Sequence, residues 1–114
     1  MIPETQPPTS VTVVALIHPL PGKAPEVLAA FAEVTPLVHQ EPGCELYAAH
    51  TDGEVVIMVE RWTTRADLDA HSAGAPLVRL GELNAGLLGQ PAEVWVLDEV
   101  PLGDLSKGMI PRPQ

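Results

Sequence analysis

Hydrophobic and polar positions follow two rhythms along this chain, and the changes between them mark out its elements. Val11–Ile17 (VTVVALI) carries β-branched residues on both parities and predicts a first strand. His18-Pro19-Leu20-Pro21-Gly22 ends it, because two prolines and a glycine cannot continue a ladder. From about Ala24 the rhythm changes. Val27, Phe31, Val34 and Val38 recur at spacings of three and four, which puts one apolar stripe on a helix. Pro25 fits its first turn, Pro36 predicts a kink in its last, and Pro42-Gly43 stops it.

Two further strands, 45–51 and 54–62, flank Asp52-Gly53, a strong local hairpin signal. If those two residues form the turn, Tyr47 faces Met58, Leu46 faces Val59 and Glu45 faces Glu60. One face of the hairpin then carries Tyr47, Ala49, Val56, Met58, Glu60 and Trp62. The other carries Leu46, Ala48, His50, Val55, Ile57, Val59 and Arg61. The run 55–59 is continuously apolar, as expected of a strand covered on both faces. Thr64, with Asp67 three positions on, predicts the cap of a second helix beginning near Arg65. That helix breaks near Gly74-Ala75-Pro76 and resumes to about Leu88, and 93–100 forms a fourth strand.

The order strand, helix, strand, strand, helix, strand predicts a ferredoxin-like α+β fold. Its four-stranded antiparallel sheet has both helices on one face. Residues 1–10 read as a flexible lead-in, 11–100 as a single domain and 101–114 as a tail. Both sheet faces look apolar, yet two helices cover only one. The simplest cover for the other is a second copy, giving a homodimer with a barrel-like core.

Six basic against fifteen acidic residues give a net charge of −9, which argues against nucleic acid and anionic membrane as partners. Cys44 is the only cysteine, so neither an internal disulfide nor a cysteine zinc cluster is expected. His18, His39 and His50 lie on different elements without ligand spacing, so no metal site is expected. The first ten residues lack the cationic start and apolar core of a signal peptide, and no apolar run is long enough to span a membrane. A cytoplasmic location is the expectation.

Three short stretches carry a family resemblance: Gln40-Glu41-Pro42-Gly43-Cys44 followed by Tyr47; Val59-Glu60-Arg61-Trp62; and Asp67-Leu68-Asp69-Ala70-His71. On this element order the chain resembles the antibiotic biosynthesis monooxygenase (quinol monooxygenase-like) family over roughly residues 11–100. The resemblance implies a dimeric α+β barrel with a pocket between sheet and helices. Its enzymatic members oxidise phenols or hydroquinones with molecular oxygen and need no metal, flavin or haem. The haem-degrading branch pairs a helical His ligand with an Asn on the first strand, which VTVVALIH lacks, and His71 falls about where that branch carries Trp. Haem degradation therefore fits poorly.

Oxygenation without a cofactor needs a base, hydrogen bonds to the substrate anion and a dry cavity. His71 suits the base, or else serves structurally by bonding a backbone group. Trp62 lines an aromatic pocket and offers an indole N–H, or simply packs the core. Tyr47 and Met58 share the face of Trp62 and are candidate substrate contacts. Glu60 on that face is an orienting partner for His71, a second base, or the partner of Arg61 or Arg79. Met58 stands where some oxygenating relatives place an amide. Cys44 reads as a small buried residue rather than a nucleophile. The leading expectation is a cofactor-independent monooxygenase of a small aromatic quinol or phenol. The alternative is a dimer of the same fold that binds a small molecule without catalysis.

Overall fold

Strand β1 (Val11–Ile17) occupies an inner position of a four-stranded antiparallel sheet. The computed structural model describes residues 10–111, so all of the expected lead-in except Ser10 lies outside the described residues. Helix α1 (Ala24–His39) follows, then β2 (Cys44–Thr51), β3 (Val56–Trp62), α2 (Arg65–Ser72), α3 (Ala75–Leu83) and β4 (Glu93–Leu97). The sheet order is β2-β3-β1-β4, the arrangement the element order predicts. Helix α1 runs through Pro36 to His39 and buries the predicted stripe of Val27, Phe31, Val34 and Val38.

The hairpin register differs from the expectation. Tyr47 pairs with Glu60 and Ala49 with Met58, and a bulge lies between Cys44 and Leu46. The turn is longer than two residues because Asp52 ties it down: Oδ1 accepts from the backbone N–H of both Glu54 and Val55, at 2.9 Å each. Only Gly53 there takes a positive φ, 101°. The pairing has slipped by an even number of residues, so every side chain keeps its predicted face. Tyr47, Val56, Met58, Glu60 and Trp62 all point into the buried layer.

Cross-strand pairing extends that layer. Val13 lies beside Glu60 and Val96, and Ala15 beside Met58 and Val94. With α1, α2 and α3 packed over it, this face holds the hydrophobic core.

Among the described residues, no helix packs on the opposite face. Contrary to the reading of 55–59 as doubly covered, Ile57 and Val59 are only half-buried. Trp95 and Leu97 project from the same face, paired with Val14 and Thr12, and stand 45% and 42% exposed. Arg61 is completely buried there. Its Nη2 lies 2.8 Å from Glu99 Oε1 and 3.3 Å from Ser10 Oγ. Its Nε lies 3.0 Å from Glu45 Oε1, as an ion pair whose angle is too poor for a hydrogen bond. Nη1 donates to the carbonyl of Ile110, so the tail returns to the sheet at this arginine.

Candidate functional site

The connection from β3 to α2 sets the site's geometry. Thr64 caps α2: its Oγ1 accepts from the Asp67 backbone N–H at 3.0 Å and lies 2.9 Å from Asp67 Oδ2. The Thr63 N–H donates to the Gly43 carbonyl at 2.8 Å, clamping the α1–β2 junction against this cap. Gly43 has φ 78°, and a Cβ there would collide with the Asp67 carboxylate. The stretches 40–44 and 62–71, distant in sequence, are thereby held together.

This contact brings Glu41 to His71. His71 is buried, and its Nδ1 lies 2.7 Å from Glu41 Oε1. Since a carboxylate only accepts, Nδ1 carries the hydrogen, which in the neutral imidazole leaves the lone pair on Nε2. The other oxygen of Glu41 fits against Gly74, where a Cβ would approach Oε2 to 2.9 Å. Nε2 faces Glu60, with Oε1 at 4.0 Å. Glu60 accepts the indole N–H of Trp62 at 3.0 Å, and the Trp62 ring stacks on the imidazole at 4.4 Å and 27°. Tyr47 meets the same imidazole edge-on, with ring centroids 5.5 Å apart.

A cavity of about 490 Å³ opens between sheet and helices beside this cluster. Val13, Ala15, Ile17 and Met58 form its floor, and Phe31, Leu77 and Leu80 stand among the residues of its helical walls. Polar character enters at few points, among them Tyr47, Glu60 and His71, together with Asn84 just beyond α3. Such a shape, apolar with a few convergent polar groups, is the usual form of a small-molecule site.

Burial, more than any other influence, pushes the Glu60 carboxyl above its ordinary value. Nearby Glu41 adds to the rise, while the Trp62 hydrogen bond and His71 oppose it. Burial likewise raises the Tyr47 phenol, reinforced by Glu60 and Glu41, so Tyr47 keeps its proton and acts as a donor. The Cys44 thiol is pushed up to about 11 by burial and by Glu41, and at neutral pH it is not a thiolate nucleophile.

The structure places His71, Tyr47, Met58 and Glu60 on one cavity wall system. Trp62 is fully buried behind His71 and does not line the cavity. Neither arginine weighed as a partner for Glu60 reaches it: Arg61 pairs with Glu45 and Glu99, and Arg79 with Glu33 at 2.8 Å. The remaining histidines are dispersed, with His18 on Glu93, His39 on the Tyr47 carbonyl and His50 exposed. Two features of the site carry no signal of their own in the sequence: Glu41, which bonds His71 without lining the cavity, and Asn84, which lines it.

The profile of antibiotic biosynthesis monooxygenases matches residues 10–79, more than half of the chain. The chain belongs to this family. It is 34% identical over 73 residues to "Probable quinol monooxygenase YgiN" of Escherichia coli K12, a match spanning 53% of this chain and 70% of that relative. A crystal structure of an antibiotic biosynthesis monooxygenase superposes with a TM-score of 0.73 at 30% identity, covering 80% of this chain and 99% of the other. Rv0793 from Mycobacterium tuberculosis gives 0.72 at 27%, covering 85% and 99%. These relationships support a monooxygenase-like function on an α+β ferredoxin-like fold. Among the described residues, no helix is long and apolar enough to cross a membrane.

Proposed function

We propose that the protein is a cofactor-independent monooxygenase that oxidises a small aromatic quinol or phenol with molecular oxygen. The observation that carries this reading is an imidazole held by a carboxylate at Nδ1, with Nε2 turned toward Glu60 on the wall of an apolar cavity. That is the arrangement of an oriented general base. A substrate hydroxyl near Nε2 gives its proton to His71. Glu41 stabilises the imidazolium through the Nδ1–H bond, and Trp62 keeps the ring plane fixed by stacking.

The resulting anion, held in a site with little competing water, transfers one electron to dioxygen. The radical pair recombines at a ring carbon to give a peroxide. Loss of that carbon's hydrogen with the distal hydroxyl, as water, leaves a carbonyl. One hydroquinone and one dioxygen thus yield one hydroxyquinone and one water. Tyr47, kept protonated, donates to the developing oxyanion. Glu60 receives or returns a proton beside Nε2, since burial raises its carboxyl above the ordinary value. Met58 contributes an adaptable apolar wall under the ring.

The uncovered sheet face bearing Val59, Trp95 and Leu97 is assigned to a second copy of the chain, making a homodimer. Light scattering on the purified protein tests this, and a monomer at micromolar concentration would reject it. Turnover with ¹⁸O₂ and a hydroquinone in metal-free buffer tests the chemistry. Incorporation of one labelled atom into the quinone product supports oxygenation. Unlabelled quinone with hydrogen peroxide would instead mark simple oxidation.

A further inference from the structure

Asn84 stands apart from the other polar residues of the cavity. It is 7% exposed, lines the cavity, and its amide oxygen is sealed from solvent with no hydrogen-bond partner among the described residues. A buried acceptor left without a partner is unfavourable, so such groups call for an explanation. Its backbone needs no amide side chain. Asn84 takes φ −86° at the end of α3, where its N–H bonds the Leu80 carbonyl at 2.9 Å and its carbonyl receives Leu87 N–H at 2.9 Å. Any residue adopts that conformation, and the residue's family match ends before it, at 79.

Its place in the cavity is equally informative. His71 and Asn84 flank α3, whose nine residues span about 13 Å at 1.5 Å each. The stretch between them is lined by Leu77, Leu80 and Gly81. The cavity therefore has polar character near both ends of α3 and an apolar middle.

We propose that Asn84 is a specificity residue that binds a second hydroxyl, on the side of the substrate away from the group deprotonated at His71. This deepens the oxygenase reading and rests on it, and it assigns the substrate to 1,4-dihydroxyaromatics rather than single-hydroxyl phenols. A primary amide suits that position because it accepts from a hydroxyl and, turned over, donates to a carbonyl. The same side chain thus holds the far oxygen before and after oxidation. An apolar residue there would leave the far hydroxyl desolvated and unpaired, which is how a hydrogen-bonding site discriminates.

The test is anaerobic titration calorimetry with 1,4-dihydroxynaphthalene and its mono-ether, 4-methoxy-1-naphthol. Without oxygen the measurement reads binding alone. Wild-type protein is expected to prefer the dihydroxy compound by about tenfold, the worth of one buried hydrogen bond. Asn84→Leu should bring the two affinities to within about twofold, while Asn84→Asp, which still accepts, should retain the preference. Circular dichroism of both variants checks that they fold. If the wild type binds both compounds equally, or if Asn84→Leu keeps the preference, the assignment is overturned and the oxygenase reading stands. If the wild type binds neither compound while it consumes oxygen with single-hydroxyl phenols, the assignment alone fails. If it neither binds them nor consumes oxygen with any phenol, both fail.

Discussion

His71 Nδ1 and Glu41 Oε1 lie 2.7 Å apart, joining the α1–β2 connection to α2 through a charge-assisted hydrogen bond. The bond fixes which imidazole nitrogen faces the cavity. Glu41→Gln keeps an acceptor at this distance but removes the negative charge that stabilises the imidazolium. Its kcat should fall by tenfold or more, in the range of about 10–10⁴ found when such a partner is neutralised, with KM little changed. Steady-state oxygen consumption checks this. An unchanged kcat would show that Glu41 has no part in proton transfer.

Gly43 should tolerate no side chain. Its φ of 78° penalises an L-residue by about 1–2 kcal/mol, and the added Cβ meets the Asp67 carboxylate that closes the α2 cap. Gly43→Ala should therefore lower stability by at least that amount in urea unfolding. Because the same junction positions Glu41, activity should fall further than the lost stability explains.

Glu60 makes stability fall with pH. Its carboxyl is raised in the folded protein, chiefly by burial, so above the ordinary carboxylate value the folded state retains a proton that the unfolded state has lost. Stability is undiminished below that ordinary value, and the loss is complete once pH passes the raised value. Glu60→Gln removes this contribution. Relative to wild type, the variant should gain stability as pH rises above the ordinary carboxylate value and level off once pH passes the raised one, read from urea midpoints. A constant difference would show that Glu60 does not titrate differently on folding.

Arg61 is fully buried against Glu45 and Glu99. Arg61→Ala leaves two carboxylates without their cation, and removing one side of a buried ion pair destabilises by about 3–5 kcal/mol. The tail loses its anchor at Ile110 as well. Chemical denaturation should show the loss, and limited proteolysis should cut first within residues 101–111.

Much of this architecture is visible in the sequence because it rests on local signals. The stripe of Val27, Phe31, Val34 and Val38, the Thr64–Asp67 cap and the Asp52-Gly53 turn each specify their element within a few residues. The hairpin register differs from the one the dipeptide implies, because the Asp52 side chain sets the turn length. The faces survived since the slip was even. The site is less visible. Tyr47, Met58 and Glu60 share a strand face and could be grouped by parity, whereas the Glu41–His71 bond joins residues 30 apart through a tertiary clamp. Trp62 could be placed on the correct face, but not behind the imidazole rather than in the cavity, because depth in a packed layer depends on α2. Asn84 acquires meaning only from the unpaired amide that folding buries.

The most direct test of the account is oxygen uptake by metal-free wild type and His71→Ala, side by side, across a panel of hydroquinones and polyphenols. Quinone formation is followed optically against buffer autoxidation. The account predicts uptake well above the buffer rate for wild type, reduced by about 10²-fold or more in the variant. Equal uptake by the two proteins would contradict His71 as the base, and no uptake by wild type on any substrate would contradict the oxygenase itself.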